Sequence, residues 1–174
     1  MKPILHARSD TQDKLFDSLV MRIADIDCAQ HFENHEGLSQ IQQAAIVRDL
    51  QQTIFQTLMA AFPSVVWRLE YQPSDRWDSI DIFGEVNDAR IVIELDKSRA
   101  DQVAKKFLSR AAMFTEQIFY ISVCYPAIER TNRQECHQYF GYCVEVSRRL
   151  GNLYAGFILQ SHDSTEEGRW SQNG

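Results

Sequence analysis

The spacing of apolar residues along the chain starts with a helical period. Between Asp10 and Cys28 the apolar side chains recur every three or four residues, at Leu15, Phe16, Leu19, Val20 and Ile23. A second helix is predicted from about Ser39 to Ala61. Phe62-Pro63 ends that helix, because proline cannot continue it and restricts the residue before it. The first part of the chain is therefore expected to be helical.

The middle of the chain changes to a period of two, which is typical of strands. Strands are predicted around Val65–Leu69, Ile80–Val86 and Ile91–Asp96. Asn87-Asp88 stands between the second and third of these, and this pair suits a tight hairpin turn. The chain is therefore expected to form three consecutive strands, the last two joined as a hairpin.

The rest of the chain alternates helices and strands. The spacing predicts a helix over Arg99–Phe114, a strand over Ile118–Cys124, a long helix over Thr131–Leu150 ended by Gly151, and a strand over Leu153–Leu159. The order indicates an α/β fold with a central mixed sheet flanked by helices. A chain of 174 residues suits one domain. Its expected parts are an N-terminal helical segment over about 9–36, a core over about 38–160 and a mobile polar tail over 161–174.

The hairpin has a register that can be read from the turn. If Asn87 and Asp88 form a two-residue loop, Asp81 lies opposite Glu94, and Asp96 follows on the same face. Directly opposed residues have Cβ atoms about 4.5–5.5 Å apart, so three carboxylates would be crowded together. The isoleucines would occupy the other face and be buried. A divalent cation, Mg²⁺ or Mn²⁺, would relieve the repulsion, since both prefer oxygen ligands.

A solvated sheet face is the alternative interpretation of the same hairpin. Water and salt would then screen the acids, and Glu85 and Arg90 would form a surface ion pair. The hairpin by itself does not decide between the two.

The hairpin and the helix after it resemble a known family. The stretch WDSIDIFGEVNDARIVIELDKSRADQVAKKFLSR, residues 77–110, resembles the core of the PD-(D/E)XK, or restriction-endonuclease-like, nucleases. The resemblance implies that Asp81 and Glu94 are metal ligands. The family has a lysine two residues after the second acid, and this chain has Asp96 there. Lys97 follows but points to the opposite face of a regular strand. Lys105 and Lys106 are the alternative sources of the ammonium group.

The helix after the hairpin is basic on one flank. Its expected buried stripe consists of Ala100, Val103, Ala104, Phe107, Ala111 and Phe114. The basic and amide residues near the acids are predicted to bind substrate phosphates, and they are Arg99, Gln102, Lys105, Lys106 and Arg110. An ordinary solvated amphipathic helix would show the same pattern.

Other candidate sites have weaker patterns. Cys28, His31 and His35 have a spacing that permits a zinc site, but a fourth ligand is not evident, and two histidines in a polar loop are usually surface residues. Asp49 is either a further metal-site acid or a solvated helix residue. Cys136 lies seven residues before Cys143 in the last predicted helix, and both are expected to be buried as small apolar side chains.

Composition limits the possible partners and locations. The net charge is −6, which argues against binding nucleic acid by overall charge alone, although local patches and bound cations can offset it. No apolar run is long enough to span a bilayer, no secretory signal is evident, and four scattered cysteines do not form a disulfide framework. We therefore expect a cytoplasmic protein without a membrane partner.

The function expected from these features is Mg²⁺-dependent (or Mn²⁺-dependent) hydrolysis of phosphodiesters in nucleic acid, with DNA as the expected substrate. Asp81 and Glu94 would bind the metal, Asp96 would assist them or orient the attacking water, and Lys97 completes the catalytic candidates. Gln102 and Lys106 would position the substrate. Two alternatives remain: a catalytically inactive nuclease-like scaffold that binds other proteins, and a restriction enzyme that acts as a homodimer.

Overall fold

The computed structural model describes residues 1–32, 38–73, 78–97, 100–125 and 133–160, and it shows an α/β fold. The described elements in chain order are β1 (Lys2–Arg8), α1 (Lys14–Ala24), α2 (Ala29–Phe32), α3 (Gln40–Ala61), β2 (Val66–Tyr71), β3 (Ile80–Val86), β4 (Ala89–Lys97), α4 (Ala100–Ala111), β5 (Gln117–Tyr125), α5 (Arg133–Arg149) and β6 (Leu153–Gln160). They build one six-stranded sheet in the order β1-β6-β5-β4-β3-β2, with helices on both faces. The prediction of a central mixed sheet flanked by helices is confirmed.

Strand direction divides the sheet into two parts. β2, β3 and β4 form an antiparallel meander, whereas β5 and β6 run parallel to β4 and follow the crossover helices α4 and α5. The hairpin register predicted from the turn is confirmed between β3 and β4, where Val86 pairs with Ala89 and Phe83 with Val92. Asn87 has a φ of 46°, a left-handed conformation that a two-residue hairpin turn requires.

The N-terminal segment is where the predicted element order is wrong. It does not begin with a helix, because residues 2–8 form β1, which pairs antiparallel with β6 at the edge of the sheet. β1 is short, it contains Pro3, and most of its side chains are partly exposed. Its stability depends on a partner more than 140 residues away, so no local alternation of apolar residues marks it.

The two faces of the sheet have different cores. The α3 face, covered by α1 and α3, packs Leu50, Ile54 and Leu58 with the isoleucines and leucines of the central strands. The α4 face, covered by α4 and α5, packs Val103 and Phe107 with aromatic side chains of the sheet. Not every apolar side chain of α3 faces the core, because Ile41, in the first turn of the helix, is 84% exposed.

The central strands are buried on both faces, which corrects the predicted polar face of the hairpin. Phe83 and Val92 are buried beneath α4, on the face that was expected to carry the carboxylates. Ile82 and Ile93 are buried on the α3 face as expected, but Ile80 packs on the α4 face instead. The strand beside it contains Glu70 at a φ of 48°, so regular alternation is interrupted at this end of the meander.

The described helices are α1 to α5. Among them, none combines the length and the apolar character that a bilayer span requires.

Candidate functional site

The candidate site lies where β3 and β4 separate. The two strands are paired from the turn to Ile82 and Ile93. At the next residue of β3 the backbone pairing stops, and the side chain of Asp81 contacts β4 instead. Its Oδ2 accepts a hydrogen bond from the backbone N–H of Leu95 at 2.7 Å. We call this point the fork. Asp81 is held there from a second side as well, because its carbonyl oxygen accepts a hydrogen bond from Nε2 of Gln51 at 2.7 Å.

Two further carboxylates lie on the α4 face of β4, next to the fork. Glu94 is 0% exposed and Asp96 is 4% exposed, and both point toward α4 because they are two residues apart on one strand. The ammonium of Lys106 lies 3.0 Å from Oε2 of Glu94 and 2.8 Å from Oδ1 of Asp96. Asp81, Glu94 and Asp96 together are called the acid cluster below.

Arg110 makes the other charged contact with the acid cluster. Its Nε donates to Oε1 of Glu94 at 2.6 Å, and its Nη2 donates to the carbonyl oxygen of Ser79 at 2.8 Å. Glu94 therefore has a cationic partner on each carboxylate oxygen. Lys106 and Arg110 of α4 therefore pair with Glu94 and Asp96, two of the three acids for which the sequence suggested a metal ion.

The electrostatics of the fork show that the three acids affect one another. Burial, and after it the nearby charge of Glu94, raise the pKa of Asp81 to about 7, against the opposing effects of Lys106 and the Leu95 N–H. Burial also raises the pKa of Asp96, although Lys106 opposes this. Burial alone would lower the pKa of Lys106, but the three carboxylates outweigh burial and raise it. Lys106 therefore stays charged in the middle of the cluster.

Glu94 and Asp96 share the α4 face, as the predicted register requires, whereas the Asp81 carboxylate turns into the plane of the sheet toward the Leu95 N–H. Asp81 also borders a cleft on the α3 face, together with Leu95 and Lys97. The physical reason is the fork: once β3 leaves the ladder, its carboxylate can turn toward the free N–H of β4 instead of projecting from the pleat. Asp81 remains close enough to Glu94 and Asp96 for their charges to raise its pKa.

The donor chemistry of the acid cluster suits a hard divalent cation. All three side chains offer carboxylate oxygens, and Oδ2 of Asp96 is buried without a hydrogen-bond partner. However, in the part of the chain that the structure describes, no three His, Cys, Asp or Glu side chains are arranged to hold a metal ion. Lys106 lies between two of the carboxylates. The metal site is therefore still a prediction, and a cation would have to compete with Lys106.

The predicted substrate-binding residues separate into two groups. Lys106 and Arg110 reach the acid cluster, where both are already engaged as ion-pair partners. Gln102 and Lys105 instead bond Oδ2 of Asp101, on the same helix, at 3.2 and 3.3 Å. Arg99 lies outside the described residues. Binding of substrate phosphates by these residues stays a prediction.

The cleft beside the fork was missed by sequence reasoning. It has a volume of about 330 Å³ and is lined by Gln40, Gln43, Ala44, Val47, Arg48, Gln51, Glu70, Asp81, Leu95, Lys97 and Tyr125. Buried Gln51 joins two of these, since its Nε2 donates to Glu70 at 2.8 Å and to the Asp81 carbonyl. The glutamines in the first half of α3 were the one sequence feature that could have indicated this cleft, and they belong to no motif.

The cysteine–histidine candidate is arranged differently from a zinc site among the residues described. Burial raises the pKa of Cys28 to about 11, which disfavours the thiolate that zinc requires. Nδ1 of His31 lies 3.0 Å from the carboxylate of Asp49, an exposed residue of α3. His35 lies outside the described residues, so the zinc alternative, which the sequence did not favour, is not tested further. Cys136 and Cys143 are buried, as expected.

Comparison of the chain with protein-family models, with curated proteins and with solved structures returns no match. The resemblance to the PD-(D/E)XK nucleases therefore stays a prediction that depends on residues 77–110.

Proposed function

We propose that this chain is a Mg²⁺- or Mn²⁺-dependent phosphodiesterase that cuts nucleic acid, with DNA as its substrate. One observation supports this above the others: Asp81, Glu94, Asp96 and Lys106 converge where β3 and β4 separate. The resemblance to PD-(D/E)XK nucleases implies an acid on the second strand of the meander, an acid on the third and a nearby ammonium group. β3, β4 and α4 carry these residues in that order.

The residues of the acid cluster have distinct roles in this proposal. Asp81 and Glu94 would hold the cation, and Asp96, whose Oδ2 has no partner, would assist them. When bound, a divalent cation lowers the pKa of a coordinated water and neutralises charge that develops on the phosphate. Arg110 keeps Glu94 in place from the buried side. Lys97 does not share a face with Glu94, so it is not assigned a catalytic role.

The resembled nucleases have a lysine at the position of Asp96. In this proposal Lys106 supplies that ammonium group. It reaches the acids from α4 rather than from the strand, and its charge is maintained by three carboxylates. Its ammonium would contact the substrate phosphate once a cation has replaced it between the acids. Lys106 and the cation therefore compete, and the protein alone should bind Mn²⁺ weakly. The acidic net charge of −6 likewise predicts weak binding of duplex DNA without a cation.

The direct test is cutting of plasmid DNA with Mg²⁺ or Mn²⁺ present, compared with EDTA. Asp81→Asn keeps the size of the side chain and an acceptor for the Leu95 N–H, but removes the charge, so it should abolish metal-dependent cutting. Asp88→Asn is the matched control, because Asp88 is an exposed acid in the turn of the same hairpin. Cutting that survives in Asp81→Asn would refute this site. Discrete fragments would indicate sequence recognition of the restriction type.

A second variant tests the role of Lys106 in metal binding and cutting, apart from any effect on folding. Lys106→Gln removes the competing charge, so Mn²⁺ should bind about tenfold more tightly. Cutting should nevertheless fall by about a hundredfold or more, because the ammonium is missing from the reaction. Circular dichroism would confirm that the variant is folded. Unchanged Mn²⁺ affinity together with unchanged cutting would contradict both statements.

A catalytically inactive scaffold that binds other proteins is the second candidate function. The observation in its favour is Glu94, which is fully buried with both oxygens in ion pairs. Such a cluster would stabilise the fold without metal. This candidate predicts no cutting of plasmid, single-stranded DNA or RNA, and no Mn²⁺ binding by calorimetry. A cytoplasmic location, with the four cysteines free, and a homodimer also belong to what is proposed here.

A further inference from the structure

The cleft on the α3 face contains two cations, the side chains of Arg48 and Lys97, that have no partner among the described residues. Arg48, on α3, and Lys97, at the end of β4, both line it. Within the described ranges neither side chain forms an ion pair or a hydrogen bond, in contrast to Lys106 and Arg110 on the other face. Unpaired cations around a concave surface suit an anionic ligand.

The other lining groups are suited to more than a bare anion. Gln40 and Gln43 bring amides, which donate and accept hydrogen bonds, and Val47 adds an apolar wall. Tyr125 brings an aromatic ring that is held by stacking on Phe32, with the ring centroids 6.1 Å apart and the planes 22° from parallel. A ligand with a phosphate, polar edges and a flat apolar surface would match this set of groups.

We propose that the cleft binds one unpaired nucleotide of the substrate strand, with its phosphate at Arg48 and Lys97 and its base among the glutamines and Tyr125. This inference rests on the proposed function, because it names the substrate of that site. The cleft meets the acid cluster at Asp81, so a strand held here leads to the fork.

The size of the cleft selects against paired bases. At about 330 Å³ it is at the small end of ligand pockets, which have volumes of about 300–1,000 Å³. A base that is still paired would bring its partner with it, and the cleft has no room for both. The preferred substrate is therefore a single strand, a frayed end or a base that has left the stack.

The first test measures binding of deoxyadenosine monophosphate by calorimetry in EDTA, where no cutting occurs. The nucleotide should bind more tightly than deoxyadenosine or inorganic phosphate. Arg48→Gln and Lys97→Gln should each weaken it about tenfold, since each removes a charged hydrogen bond. Arg22→Gln and Lys14→Gln, exposed cations of α1, are the matched controls and should not change it. Equal losses in all four variants, or no binding, would overturn the proposal. Equal affinity for inorganic phosphate would also overturn it.

A second measurement compares a single-stranded pentanucleotide with the same sequence inside a duplex, again in EDTA. The single strand should bind at least about tenfold more tightly, and Arg48→Gln should reduce that preference. A preference for the duplex would refute the proposal.

The two proposals fail in different ways. If plasmid is cut and Asp81→Asn abolishes cutting, while Arg48→Gln and Lys14→Gln bind the nucleotide equally, only the cleft proposal is wrong. If Arg48→Gln loses the nucleotide but no substrate is cut under any condition, the proposed nuclease activity is wrong and the binding site remains.

Discussion

The end of β4 presents two opposite surfaces, built from alternate residues of one strand. On the α4 face Glu94 and Asp96 are buried, and both have cationic partners from α4. On the α3 face Leu95 and Lys97 line an open cleft, in which Lys97 has no ion-pair partner among the described residues. Charges only a few ångströms apart along the strand are therefore in very different environments.

The difference shows how burial decides what a charge can do. A charge removed from water is tolerated only when it is paired and hydrogen-bonded, so the charges on the α4 face form ion pairs with one another. A charge at an open cleft is already hydrated and needs no partner, so it remains available for a ligand. Asp81 lies between these surfaces: it borders the cleft, and the charges of Glu94 and Asp96 raise its pKa.

The largest effect should come from breaking the pairing on the α4 face. Lys106→Met leaves two buried carboxylates without their shared partner, and it should lower the free energy of unfolding by about 3–5 kcal/mol. Lys105→Met is the adjacent control: its side chain is 69% exposed and pairs with Asp101, so its effect should be below about 0.5 kcal/mol. Urea unfolding measures both, and equal effects would refute the distinction between the two faces.

The next effect concerns Asp81 and depends on pH. Burial and the charge of Glu94 raise its pKa from 3.8 to about 7 in the folded protein, so folding favours the protonated form. The resulting stability is present below pH 4 and is lost as the pH rises through 7. In EDTA, Asp81→Asn should therefore be more stable than the unchanged protein by about 2–4 kcal/mol at pH 8, and by little at pH 4.

Thermal and urea unfolding at several pH values measure that difference. Asp88→Asn, in the exposed turn, should show no comparable pH dependence. A gain in Asp81→Asn that is the same at pH 4 and pH 8 would show that the carboxylate is not buried beside Glu94.

A smaller loss of stability is expected when the hydrogen bonds that hold the fork from the α3 side are removed. Gln51 is 8% exposed and donates to both Glu70 and the Asp81 carbonyl. Gln51→Ala leaves both acceptors without this donor and should cost about 1–3 kcal/mol in stability. Gln52→Ala, one residue along and exposed, should cost much less. Similar losses in the two variants would mean that Gln51 does not hold the fork.

The smallest effect should be seen at the cations of the cleft. Arg48→Gln and Lys97→Gln should change the free energy of unfolding by less than about 0.5 kcal/mol, because neither side chain has an ion-pair or hydrogen-bond partner in the part of the chain that the structure describes. The same variants should weaken nucleotide binding, so stability and binding would respond independently. A large loss of stability in either variant would show that these cations also belong to the structure.

Local patterns predicted much of the fold and part of the candidate site. The turn at Asn87-Asp88 set the register of the hairpin, and the register placed Glu94 and Asp96 on one face, as the structure has them. Alternation also predicted that Lys97 would point away from Asp96, and it lines the cleft on the opposite face. These results depend on neighbours in sequence, for which spacing is a reliable guide.

Other features escaped prediction because distant residues produce them. β1 is a strand because it pairs with β6, far away in the sequence. Similarly, α4 covers the face of the hairpin that alternation predicted to be polar. Lys106 and Arg110 were expected near the acids as phosphate donors, but periodicity did not predict that they form ion pairs with the acids. Their distance from β4 depends on how the crossover helix packs, which periodicity does not report.

The sequence by itself determined the order and type of most elements, the hairpin turn and the presence of three acids near its open end. Only the tertiary structure decided that β3 leaves the ladder at Ile82, that Asp81 turns to the Leu95 N–H, and that the cleft opens beside it. The reason is physical: backbone propensity and side-chain alternation act over a few residues, whereas burial and charge pairing depend on which helix covers each face of the sheet.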